Sequence, residues 1–203
     1  MNKKGFTISE LIIVIGIITL LFGISFRTYY NQRDSLEYQN NITKILSLVN
    51  QARTDASTSK AVYIGSQNII PKEGFGIYIE RNTTTPSKVI LFANVSAADT
   101  NAATSFDSGD IIEEQMELAN NTIFKNIVIT NPDPADFIPT RAVILFKPPL
   151  AETYIKVFDT KSPTPTIQEP TDLTLIFSRA GKLDLEDKLN LNKAAGFMEL
   201  SEK

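Results

Sequence analysis

Residues 11–26 read LIIVIGIITLLFGISF, an uncharged run broken only by Gly16, Thr19, Gly23 and Ser25. Extended back to Phe6 it covers 21 residues, and Glu10 is the one ionisable group inside it. At about 1.5 Å of rise per residue a helix of that length spans ~31 Å, enough to cross a hydrocarbon core of roughly 30 Å. The segment therefore reads as a membrane-spanning helix. A cleavable secretory signal would close on small residues, whereas Arg27, Thr28, Tyr29 and Tyr30 follow Phe26. Lys3 and Lys4 precede the run, so the positive-inside rule favours a cytoplasmic N-terminus, although Arg27 and Arg33 on the far side reduce the asymmetry. Phe26, Tyr29 and Tyr30 sit where an aromatic interface belt would lie.

Outward from this run, the absence of proline before Pro71 permits one long helix, because an interior proline costs about 3 kcal/mol. After a polar stretch at Asn31 to Asn41, apolar residues recur at Ile42, Ile45, Leu46, Val49, Ala52 and Ala56, the spacing of one helical face. Gln51, Arg53 and Asp55 fall off that face. The expected helix runs from about Phe6 to about Ser57, with a membrane half over 6–27 and an amphipathic half over 28–60.

From Ala61 onward, short β-prone runs alternate with Pro, Gly, Asn, Asp and Ser. Strands are expected near Ala61–Ile64, Gly76–Glu80, Lys88–Asn94, Thr122–Thr130, Arg141–Phe146, Tyr154–Phe158, Leu173–Ser178 and Lys182–Leu185. Arg179-Ala180-Gly181 suits a three-residue hairpin loop between the last two. The expected fold class is α+β: one long N-terminal helix packed by its second half on an antiparallel β-sheet domain covering 61–203.

Composition narrows the chemistry. The 203 residues hold 20 Lys and Arg against 23 Asp and Glu, a net charge of −3, so the chain as a whole has no attraction for a polyanion. No nucleic-acid partner is expected. With no Cys and no His, disulfides, thiolate zinc sites, Ser-His-acid and Cys-His pairs and the HExxH site are excluded. The balance favours a binding or structural protein over an enzyme, with no cofactor.

Lys3-Lys4-Gly5-Phe6-Thr7-Ile8-Ser9-Glu10-Leu11 resembles the cleavage and methylation signal of type IV prepilins and type II secretion pseudopilins. The resemblance rests on a short basic leader, Gly-Phe, a glutamate at the fifth position of the mature chain and the apolar run together, over about 25 residues. It implies a pilin-like fold and a leader over 1–5. It also implies cleavage by a prepilin peptidase between Gly5 and Phe6, N-methylation of Phe6 and an assembly role for Glu10. The implied partners are the peptidase, other pilin or pseudopilin subunits, an inner-membrane assembly platform and membrane lipid. The implied location is the cytoplasmic membrane, single-pass, with the C-terminal domain outside, then a filament. Where many members carry a proline about twenty-two residues into the mature chain, this one has Arg27. QARTDA at 51–56, GFGIYIE at 74–80, VILFAN at 89–94 and LIFSRAGKL at 175–183 are weakly similar to minor pseudopilins of the H class.

The physical reading of Glu10 is independent of the resemblance. A carboxylate on a membrane helix costs a few kcal/mol to insert and calls for a partner. An α-amino group freed at Phe6 of a neighbouring subunit would be one; hydration at the headgroup level is the alternative. Gly16, Thr19 and Gly23 suit close helix–helix approach.

Two other patterns admit a second reading. Asn94 to Glu114 is expected to be a solvated loop in which Asp99, Asp107, Asp110, Glu113 and Glu114 are the only oxygen-ligand candidates for calcium, without an EF-hand pattern. Ser57-Thr58-Ser59-Lys60 matches the S-x-x-K of penicillin-recognising enzymes, but no Ser-Asp-Asn or Lys-Thr-Gly follows. The expectation is a structural filament subunit. The alternatives are a single-pass anchored binding domain or enzyme, and a DNA-uptake pilin.

Overall fold

The computed structural model describes residues 7–82, 86–95, 106, 109–118, 121–130, 139–159 and 167–202. Helix α1 runs unbroken over Ile8–Ser57, 50 residues, or ~75 Å at 1.5 Å per residue. Thr7 caps its start. At its end Ser59 takes φ +50°, the Ser59 N–H donates to the Ala56 carbonyl at 3.1 Å and the Lys60 N–H to the Asp55 carbonyl at 2.9 Å. This is a Schellman motif built on serine in place of the usual glycine.

Twelve strands follow among the described residues: β1 Val62–Ile64, β2 Gln67–Ile69, β3 Phe75–Glu80, β4 Lys88–Ala93, β5 Ile111–Glu117, β6 Thr122–Thr130, β7 Pro139–Lys147, β8 Glu152–Asp159, β9 Ile167–Gln168, β10 Asp172–Arg179, β11 Lys182–Asn192 and β12 Met198–Glu202. They form a six-stranded sheet in the order β5-β4-β3-β7-β8-β9, a four-stranded sheet β12-β11-β10-β6 and the hairpin β1-β2, all antiparallel. The fold is α+β, with the helix packed on sheet as its sequence pattern implied.

The second half of α1 buries Tyr38, Ile42, Ile45, Leu48, Val49, Ala52 and Ala56. They join one core with Ile77, Leu91 and Ile144 of the larger sheet and Leu175, Phe177 and Leu189 of the smaller. Leu48 belongs to the buried face, whereas Leu46 is half-buried at its margin. At about 100° per residue, Leu48 lies only ~60° from Ile45 around the helix and Leu46 ~100°.

The larger sheet has two apolar faces rather than one. Opposite the helix, Ile90, Phe92, Val143, Leu145 and Phe158 form a second cluster with Tyr78, Tyr154 and Phe106. The Phe106 ring lies 5.0 Å from Tyr78 and 5.1 Å from Phe92. The unbroken runs VILFA in β4 and AVILF in β7 reflect burial on both sides. Gly76 makes room for this cluster, since a Cβ there would meet the Phe92 ring at 2.6 Å.

The β10–β11 hairpin forms as expected, but Ala180 and Gly181 alone connect Arg179 to Lys182, with Gly181 at φ +78°. Strand β11 continues to Asn192, well past Leu185. Strand β5 occupies 111–117, so the far end of the expected acidic loop is an edge strand whose ladder to β4 outweighs its charged composition.

Candidate functional site

The N-terminal half of α1 is the surface to explain. Every residue from Ile8 to Phe26 is exposed, including Leu11, Ile12, Ile13, Leu20 and Phe22, although nearly all are apolar. It is the one helix among the described residues long and apolar enough to cross a membrane. Soluble surfaces rarely leave so continuous an apolar face open to water.

Its polar groups are satisfied within the helix. The hydroxyls of Thr19, Ser25 and Thr28 donate to the carbonyls of Ile15, Leu21 and Ile24 at 2.8, 2.8 and 3.2 Å. A Cβ added at Gly16 or Gly23 would meet nothing within 4 Å, so both faces are open to a neighbouring helix.

Glu10 closes a capping box. Its Oε2 accepts the Thr7 N–H and the Thr7 hydroxyl, each at 2.8 Å, while its own N–H donates to Thr7 Oγ1 at 3.3 Å. The carboxylate therefore holds the first turn and neutralises part of the positive end of the helix dipole. The T-x-x-E spacing signals this cap in the sequence. Gly5 and Phe6 lie outside the described residues, so the geometry begins one residue beyond the candidate cleavage point.

Of the oxygen-ligand candidates, Asp99 and Asp107 lie outside the described residues. Asp110 Oδ1 accepts the Val95 N–H at 3.3 Å. Glu113 accepts Lys60 Nζ at 2.9 Å, and Glu114 pairs with Lys44. These two carboxylates tie β5 to the helix. Among the described residues, no three carboxylates converge as a metal site would need.

Lys60 also bonds Asp55 at 3.0 Å and stands 5.6 Å from the centre of the Phe75 ring. Burial opposes its charge, but hydrogen bonds and attraction from Glu113 and Asp55 outweigh that and raise its pKa. The Ser57 hydroxyl donates to the Thr54 carbonyl at 2.9 Å. The S-x-x-K pattern thus lies in the helix terminus and its anchor to β5.

The contacts that fix where the helix leaves the domain carry no sequence motif. Arg179 Nη2 donates to the Asn31 carbonyl at 2.7 Å, and Asn121 Nδ2 donates to the Asp34 carbonyl at 3.0 Å and to Glu37 Oε2 at 3.2 Å. Asn41 Nδ2 donates to Thr122 Oγ1 at 2.8 Å. Comparison with models of protein families, with curated proteins and with solved structures finds no match to this chain in any of the three.

Proposed function

We propose that this chain is a structural subunit, of the minor kind, of a type IV pilus or a type II secretion pseudopilus. A prepilin peptidase cuts between Gly5 and Phe6, Phe6 is N-methylated, and the protein waits in the cytoplasmic membrane with its domain outside until α1 enters a filament. The observation that carries this reading is the division of one continuous helix. From Tyr38 onward it is built into the domain core, while from Ile8 to Phe26 it offers an apolar surface that the rest of the described chain leaves uncovered. Lipid covers that surface in the free subunit and other subunits' helices cover it in the filament. In a bundle of such helices, Glu10 can balance the ammonium that cleavage would create on a neighbouring chain.

Because Glu10 also caps the helix, its charge must be tested apart from its cap. Glu10→Gln keeps an oxygen to accept from Thr7, since glutamine serves at this position of a capping box, but removes the charge. Membrane level and cleavage should persist. Recovery in sheared filaments should fall ~10²- to 10³-fold or more, because an unpaired buried charge costs about 3–5 kcal/mol at roughly 1.4 kcal/mol per decade. Normal incorporation of both Glu10→Gln and Glu10→Leu would contradict the ion-pair mechanism and favour a simple anchored domain.

A further inference from the structure

The segment that follows α1 differs from the rest of the domain surface. Residues 61–71 read AVYIGSQNIIP, without a charge in a chain in which 21% of residues are charged. Within it β1 and β2 form a separate sheet of two, turning through Gly65 at φ +63° and Ser66, with Val62 opposite Ile69, Tyr63 opposite Asn68 and Ile64 opposite Gln67. Of the paired residues only Val62 is buried; Tyr63 is 73% exposed, and Ile64, Ile69 and the following Ile70 are also open to water. Among the described residues, no backbone hydrogen bond joins either strand to anything but the other. Both outer edges therefore present unpaired N–H and C=O groups, and a two-stranded hairpin standing alone is marginal in water.

The other sheet edges are guarded. Glu113, Glu114 and Glu117 lie on β5, Lys125 on β6, and Glu199 and Glu202 on β12, while β9 is two residues long. Charges and short strands of this kind keep edges from pairing with other chains. The β1–β2 hairpin has no charge, no proline within its strands and no bulge.

We propose that β2 is a pairing edge for a second copy of this chain: two β2 strands meet antiparallel about Asn68 and join the hairpins into one sheet of four. The open edge is β2 because all its residues are exposed, whereas β1 begins at the buried Val62. A copy brings an edge of matching length, equally without charge, and at matching height. The end of α1 at Ser57 lies 31 residues beyond Phe26, ~46 Å at 1.5 Å per residue, and two helices inserted the same way in one membrane hold their hairpins level. Confinement to that membrane raises the effective concentration, which a short ladder needs. Side chains alternate across a strand, so Ile64 and Ile69 share a face, and pairing sets those of both copies along one apolar strip. The contact is isologous and closes at two copies. It rests on α1 spanning the membrane but is independent of the filament reading.

Because the chain has no cysteine, Asn68→Cys, Tyr63→Cys and Leu150→Cys each carry a single thiol. In the full-length protein, in membranes without a prepilin peptidase, mild oxidation should link Asn68→Cys into a dimer. Opposed Cα atoms of an antiparallel pair stand roughly 4.5–5.5 Å apart, inside the range of about 4.4–6.8 Å that a disulfide bridges. Tyr63 and its copy would be three strand spacings apart, ~14 Å, and should link severalfold less, as should Leu150, 88% exposed at the β7–β8 turn. Fluorophores on Leu150→Cys then read pairing by energy transfer in vesicles. Transfer should be lost when every copy carries Asn68→Lys, because like charges directly opposite repel, and return when Asn68→Lys and Asn68→Glu copies are mixed. Equal linkage at 63, 68 and 150, linkage at 68 to a different polypeptide, or transfer indifferent to charge at 68 would overturn the proposal. Recovery of the protein in the soluble fraction would overturn the membrane span beneath it. None of these outcomes depends on cleavage after Gly5, so the pair and the filament subunit fail separately.

Discussion

Replacing Ile45 by alanine measures how far the helix belongs to the domain. Ile45 is fully buried in the core shared with both sheets. The substitution removes three carbons, ~2.4 kcal/mol at about 0.8 kcal/mol each, and the unfilled cavity brings the expected cost to about 3–4 kcal/mol. Leu36, nine residues earlier on the same helix, is 60% exposed, and its replacement by alanine should cost no more than about 0.5 kcal/mol. Urea unfolding of a soluble fragment beginning at Asp34 reads the difference. With a slope near 2 kcal/mol/M, the Ile45→Ala midpoint should fall by about 1.5–2 M and the Leu36→Ala midpoint by a few tenths. A fragment beginning at Lys60 lacks Ile42, Ile45, Leu48 and Val49, all buried. At about 1.5–3 kcal/mol each, their ~6–12 kcal/mol rivals the whole stability of a domain, so that fragment should aggregate unfolded. Equal, small shifts for the two substitutions, or cooperative unfolding of the Lys60 fragment at an unchanged midpoint, would refute the reasoning.

Tyr38 predicts a pH effect. Its hydroxyl is buried without a hydrogen-bond partner, and burial first, then the nearby Asp187 carboxylate, pushes its pKa up. The folded state therefore keeps the proton where the unfolded state loses it, so its contribution is complete below about pH 10 and falls as pH rises above it. Tyr38→Phe should match or exceed the parent in stability at pH 7 and lose less on going to pH 11; a steeper alkaline loss in the variant would contradict this. Titration of the Asp34 fragment with duplex DNA should show no measurable affinity at physiological ionic strength, whereas tight, salt-sensitive binding would support a DNA-uptake role.

The helix was legible because its evidence is local: an uncharged run, a 3.6-residue period and no proline. The hairpin at Arg179 to Lys182 announced itself through Gly181 between two alternating runs. The placement of β5 did not, because IIEEQME reads as a solvated segment until Lys44 and Lys60 neutralise two of its carboxylates and β4 supplies its ladder. Burial of both faces of the larger sheet was encoded in VILFA and AVILF, but an unbroken apolar run does not say what covers its second face. The Thr7–Glu10 cap was written in the sequence and overshadowed by the membrane setting of Glu10. The Arg179 and Asn121 contacts join residues more than eighty positions apart, a separation to which periodicity is blind.

The proposed maturation as a filament subunit is tested most directly by the intact mass of the full-length protein extracted from membranes of cells containing a prepilin peptidase. The expected mass is that of the chain without Met1 to Gly5, plus one methyl group on Phe6. A mature chain that retains Met1, or that begins beyond about Tyr30, would contradict it.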